Sequence, residues 1–177
     1  MPGRQLKRGL VQVYTGNGKG KTTAALGLAI RAAGQGMRVF IGQFMKGVPY
    51  GELEILIHVS NITIRQFGSP HWVHPKSIRD EDRRLAEEGF EEARKVVLSE
   101  EYDVAILDEI NVVLAFGLLP LEPVLDLIAN KPAMLELVLT GRGAPREIME
   151  VADLVTEMVP VKHPFDKGIE ARRGIEF

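Results

Sequence analysis

The chain contains no cysteine. That absence excludes disulfides, thiolate catalysis and cysteine-ligated zinc anywhere in it. It has a single tryptophan, and aromatics make up only 6% of its residues. No apolar run approaches the length of a bilayer span, and the first residues lack the apolar stretch of a secretion signal, so the cytoplasm is the expected compartment. Neither sign of charge dominates: 22 basic residues against 24 acidic ones leave a net charge of -2. No nucleic-acid or membrane partner is therefore expected from bulk electrostatics. Repeats and low-complexity tracts are missing as well. What remains is an ordinary composition, 45% hydrophobic and 26% charged over 177 residues. It predicts one domain with a sizeable core. Residues 1–9, with Arg4, Lys7 and Arg8, read as a flexible polar tail, and residues 10–177 as a single nucleotide-binding domain.

The most informative stretch is Thr15-Gly16-Asn17-Gly18-Lys19-Gly20-Lys21-Thr22-Thr23. It follows an apolar run, Leu10 to Tyr14, that reads as a buried strand. It precedes Ala24 to Ala33, small and aliphatic throughout, which reads as a helix covered on most sides. Strand, glycine-rich loop, Gly-Lys-Thr and helix form the order of a phosphate-binding loop. Glycines let successive backbone N–H groups point at one anion, and the helix N-terminus adds unpaired N–H groups and its positive dipole end. Lys21 would neutralise phosphate charge, and the Thr22 hydroxyl could ligate Mg²⁺. The loop departs from the usual G-x-x-x-x-G-K-[ST] in having Thr15 where the first glycine stands, with glycines at 16, 18 and 20 instead.

Further on, Val39–Phe44 and Ile62–Phe67 read as strands, the second at a sheet edge, with a short helix over Glu52 to His58 between them. A charged helix from about Ser77 to Leu98 keeps Ala86, Phe90, Ala93 and Val97 on one face. Val104 to Leu107 is a buried parallel strand closed by Asp108 and Glu109. Ligands of open α/β sheets sit at such strand ends, so either carboxylate is placed to hold Mg²⁺ opposite Thr22. Short helices over Asn111 to Ala115 and Glu122 to Ala129 lead to a strand, Leu135 to Leu139, and the turn Thr140-Gly141-Arg142-Gly143. Arg142 is placed to meet a phosphate. A helix over Pro145 to Val151 and a strand over Leu154 to Val159 complete an alternating order. The predicted class is α/β, a mainly parallel sheet with helices on both faces. No Ser/His/Asp arrangement has local support, and His71 and His74 do not read as a metal site.

Five segments carry a resemblance: the loop 15–23, Leu107-Asp108-Glu109, Leu139-Thr140-Gly141-Arg142-Gly143, Ala152-Asp153 with Thr156-Glu157, and Val161-Lys162-His163-Pro164-Phe165-Asp166. Together they resemble the ATP:cob(I)alamin adenosyltransferases of the CobA/BtuR type, from about Gly9 to the C-terminus. The resemblance implies a RecA-like P-loop domain, usually a homodimer, that binds ATP in a reversed orientation. Cobalt(I) of a reduced corrinoid attacks C5′ of the ribose, and the whole triphosphate leaves. It implies Lys21, Thr22 and Glu109 as the catalytic set, with Mg²⁺ on Thr22, Asp108 and Glu109. ATP would meet Thr15, Gly16, Asn17, Gly18, Lys19, Gly20, Lys21, Thr22, Thr23 and Arg142, with Asn17 near the ribose or the phosphates. The family's Phe-Thr-Trp segment, which helps to displace the corrinoid's lower ligand, corresponds to His71-Trp72-Val73. His71 takes the Phe place and Val73 the Trp place, with Trp72 between. An electron-donating reductase is an implied partner. Two other readings share a phosphate loop: a RecA-like NTPase or nucleoside kinase, and a non-catalytic nucleotide- or corrinoid-binding module. Kinases of this build that carry a cysteine zinc ribbon are excluded by composition.

Overall fold

A computed structural model describes residues 6–48 and 50–176. Six strands, β1 (Val11–Thr15), β2 (Val39–Phe44), β3 (Ile62–Phe67), β4 (Val104–Asp108), β5 (Glu136–Thr140) and β6 (Leu154–Glu157), form one sheet in the order β3-β2-β4-β5-β1-β6. Every pairing is parallel. β5 therefore stands between the loop-bearing β1 and the acid-ended β4, and β3 is an edge as expected. The helices are α1 (Lys21–Gly34), α2 (Gly51–Leu56), α3 (Asp80–Leu98), α4 (Ile110–Ala115), α5 (Glu122–Asn130) and α6 (Arg146–Val151). The C-terminal segment makes a 3₁₀ turn at Pro164–Lys167. Residues 1–5 of the expected tail lie outside the described residues.

The two faces of the sheet are covered unequally. Val13, Phe40, Phe44, Ala105, Leu107, Leu137 and Leu139 meet the apolar sides of α3, α4, α5 and α6 in the larger core. Ala86, Phe90, Ala93 and Val97 of α3 are buried there, at the positions their helical spacing indicates. The other face, with Ile41, Ile106 and Val138, is covered by α1 and Leu56 of α2. Ala25, Ala29 and Ala32 let α1 lie close to the strands. This corrects the expectation that α1 is covered on most sides: Thr23, Ala24, Gly27 and Ile30 face outward, Ile30 with 58% exposure. An apolar sequence without a polar face does not imply a second covering layer when small residues alone make the contact. β1 likewise alternates buried with half-buried residues instead of being buried throughout.

Parallel strands put all their C-terminal ends on one rim, and that rim positions the site. The connections after β1, β2, β3, β4 and β5 all open there. Two of them turn through non-glycine residues in the left-handed region, Met45 after β2 (φ 61°) and Glu109 after β4 (φ 65°). Such positions cost on the order of 1–3 kcal/mol each and persist where surrounding structure holds them.

Candidate functional site

The five connections enclose a cleft of about 820 Å³. The phosphate loop contributes Asn17, Thr22 and Thr23 to it, the turn after β2 Met45 and Lys46, and the connection after β3 Trp72 and Val73. Glu109, Arg142 and the C-terminal Gly174, Ile175 and Glu176 also line it.

The loop is shaped by its neighbour as well as by any ligand. Gly16 has φ +91°, and a Cβ there would lie 2.5 Å from the Met158 carbonyl oxygen. The Gly18 N–H donates to that same oxygen at 2.6 Å, and Met158 N–H donates to Thr15 O at 2.9 Å. The chain just beyond β6 thus acts as a rail for the loop. The N–H groups of Asn17, Lys19 and Gly20 find no acceptor among the described residues, which suits an anion. Thr15 is turned away: its hydroxyl accepts the Ala144 N–H at 3.2 Å and ties the loop to the turn after β5.

Lys21 is buried and folds back on the loop, donating to Gly16 O at 2.8 Å and Gly18 O at 2.7 Å. Burial lowers its pKa, Glu109 and Asp108 oppose that shift, and Arg142 adds to it. Lys19 instead reaches the C-terminal segment, donating to Ile175 O at 2.9 Å and Glu176 Oε1 at 2.8 Å. The Glu176 carboxyl is held down to about 2, first by its hydrogen bond from Arg172 and then by Lys19.

The two carboxylates closing β4 have different surroundings. Asp108 is 1% exposed. Its Oδ1 accepts the hydroxyls of Thr22 (2.8 Å) and Thr140 (2.7 Å). Its Oδ2 accepts Lys46 Nζ (2.9 Å) and, more weakly, Gln43 Nε2 (3.4 Å). Lys46 also lies 3.6 Å from Glu52 and over the Tyr50 ring. Burial would lower the Lys46 pKa, but Asp108, then Glu52 and Glu109, outweigh it and raise it. Glu109 has no hydrogen bond to its carboxylate among the described residues, and it faces the cleft. Burial first, and then the Asp108 charge, raise its pKa against Lys46, Lys21 and Arg142.

Sequence reasoning missed Lys46, Gln43 and Thr140. Thr140 lay inside a motif already singled out, but Lys46 carried no local signal. The segment 71–73 is divided: Trp72, 86% exposed, and Val73 line the cleft, whereas His71 turns toward Asp82 at the start of α3. With Ser69 beside them this is a Ser/His/Asp cluster that forms only through tertiary contact, in keeping with the absence of local sequence support for one.

A parallel α/β sheet, a glycine loop with a buried lysine at the end of β1, and a threonine bonded to the aspartate ending β4 define a P-loop nucleotide-binding protein. Residues 7–177 match the family ATP:corrinoid adenosyltransferase BtuR/CobO/CobP, and the chain belongs to that family. It is 39% identical over 175 residues to a corrinoid adenosyltransferase of Escherichia coli K12, covering 98% of this chain and 88% of that one. It is 37% identical over 175 residues to corrinoid adenosyltransferase CobA of Salmonella typhimurium LT2, with the same coverage. It is 38% identical over 172 residues to a corrinoid adenosyltransferase of Pseudomonas aeruginosa PAO1, covering 97% and 85%. No described helix is long and apolar enough to cross a membrane.

Proposed function

We propose that the cleft holds ATP and a reduced corrinoid side by side and transfers the 5′-deoxyadenosyl group to cobalt. The observation that carries this reading is the continuity of one cavity from the phosphate loop to Trp72 and Val73. Cobalt(I) supplies the electron pair for the new bond to C5′. The C5′–oxygen bond breaks, its pair stays on the triphosphate, and the triphosphate leaves whole. No general base is required. The work of the protein is to align C5′ with cobalt, exclude water and meet the charge on the leaving group.

Lys21, Lys19, Arg142 and the loop N–H groups are the cations and donors for that charge. Leaving their present partners, Gly16 O, Gly18 O and Glu176, is part of binding. Mg²⁺ fits Thr22 and Glu109. Among the described residues the Glu109 carboxylate has no hydrogen bond and its pKa is raised, and the Thr22 hydroxyl spends its proton on Asp108 and keeps its lone pairs. Asp108, with both oxygens occupied, orients Thr22, Thr140 and Lys46 instead of serving as the direct ligand. When bound, the ion would add positive charge beside the triphosphate.

The products test the reading against the NTPase alternative. With ATP and cob(I)alamin, chromatography is expected to yield adenosylcobalamin and intact triphosphate in equal amounts. ADP and phosphate as the main corrinoid-dependent products would overturn it.

Membership of the family also supports a cytoplasmic homodimer served by an electron-donating reductase. β6 presents an open edge with Leu154 and Val155 exposed, and Val159, Val161 and Phe165 beyond it are exposed too. Sedimentation at micromolar concentration is expected to give a dimer; a fully active monomer refutes this.

A further inference from the structure

The segment between β3 and α3 brings Trp72 to the cleft without secondary structure of its own. A polar cluster behind it supplies the anchor. Ser69 and Asp82 are 3% and 5% exposed. Ser69 Oγ donates to Asp82 Oδ1 at 3.0 Å. His71 Nε2 lies 3.2 Å from the same Asp82 oxygen and 3.1 Å from Ser69 Oγ. Asp82 Oδ2 accepts the Arg79 N–H at 3.0 Å, closing the first turn of α3. Arg79 Nη1 stands 3.3 Å from His71 Nδ1. A guanidinium only donates, so Nδ1 is the acceptor and the ring proton sits on Nε2, toward Asp82. Burial would raise the Asp82 carboxyl, but the Arg79 N–H, Ser69 and His71 outweigh it and hold it below the usual range.

The cluster is not a nucleophile. In a hydrolytic triad the hydroxyl and the carboxylate meet opposite ring nitrogens, and the hydroxyl proton goes to the ring. Here Ser69 and Asp82 share Nε2, and the hydroxyl proton goes to the carboxylate. The arrangement is a bolt between a loop and a helix end.

We propose that Ser69, His71 and Asp82 position Trp72. The exposed Trp72 ring has fixed residues on both sides, His71 on the polar cluster and Val73 buried in a small apolar niche with Met45, Phe67 and Ala86. A ring carried on backbone anchored at both neighbours has less freedom to lose when a flat ligand stacks on it. The role also accounts for a histidine at the place where the resemblance puts a phenylalanine: its contacts lie behind the loop, away from the cleft. The kinetic consequence, though not the positioning itself, rests on the corrinoid reading of the cleft.

Trp72 is the only tryptophan, so its fluorescence reports on this loop alone. In the full-length His71→Ala protein, time-resolved anisotropy is expected to show a larger local amplitude for Trp72. Hydrogen exchange of the amides of Ser69 and of residues 71–74 should quicken. KM for cob(I)alamin should rise roughly tenfold or more, as misplacement of a positioning group does, while KM for ATP stays unchanged. His71→Gln, whose amide can still donate to Asp82, should restore part of each change. Should circular dichroism show His71→Ala unfolded, Ser69→Ala gives the same readout through loss of the hydroxyl bonds. Anisotropy and exchange identical to wild type in a folded variant overturn the positioning role. Wild-type Trp72 fluorescence unquenched by saturating cobalamin shows instead that Trp72 does not meet the corrinoid, which overturns the kinetic consequence and leaves the bolt to be judged on mobility alone.

Discussion

Lys21→Ala is expected to retain the fold and lose adenosyl transfer by a factor of about a hundred or more, the usual cost of deleting one preorganised charge contact. The lysine is buried at the base of the loop, and in the structure its ammonium donates to Gly16 O and Gly18 O. Those carbonyls mark the inside of the loop, so a triphosphate bound there lies within reach of the same ammonium. Alanine leaves both carbonyls without that donor, which should cost on the order of 1 kcal/mol of stability and a modest drop in Tm. Circular dichroism checks the fold and steady-state turnover the function. Near-normal turnover in a folded variant would show that the loop does not cradle the leaving group.

Glu109→Gln is expected to pull activity and stability in opposite directions. Turnover should fall about a hundredfold or more, because the variant lacks the free carboxylate that suits Mg²⁺. Stability at neutral pH should rise. The folded-state pKa of Glu109 is raised from 4.5 by burial and by Asp108. Above that reference value the folded protein therefore binds more protons at this group than the unfolded chain does, and stability falls as pH climbs through the folded pKa. Glutamine removes that penalty and keeps the same left-handed backbone requirement at position 109. Thermal unfolding without Mg²⁺ should give nearly equal Tm values below pH 4.5 and a growing advantage for the variant as pH rises. A variant less stable than wild type at pH 8 would mean that the Glu109 charge is already compensated in the free protein.

The difference between these two residues illustrates how far the sequence reaches. Lys21 could be assigned from its neighbours, because a phosphate loop is built from consecutive residues and its chemistry is local. The α/β class was legible for the same reason: strand and helix periodicities alternate, and short apolar runs of parallel strands look alike wherever they occur. Asp108 and Glu109 were legible as a pair at a strand end but not as individuals. What separates them is Gln43 and Lys46, from the end of β2 and the turn after it, and Thr140, from the end of β5. Periodicity misled at α1, where apolar residues on the outer side carry no sign of what covers them.

The order of elements, the glycine loop and the acids that end β4 were thus legible in the sequence itself, since the pattern of each lies within a short run of consecutive residues. The occupied state of Asp108, the free carboxylate of Glu109, the Ser69–His71–Asp82 bolt and the arrival of Gly174, Ile175 and Glu176 at the cleft were decided only by tertiary structure. Each needs groups distant in the chain to arrive at one rim. The parallel sheet makes that possible by carrying the C-terminal end of every strand to the same side, and side-chain hydrogen bonds then select which polar group is spent on structure and which stays free for a ligand.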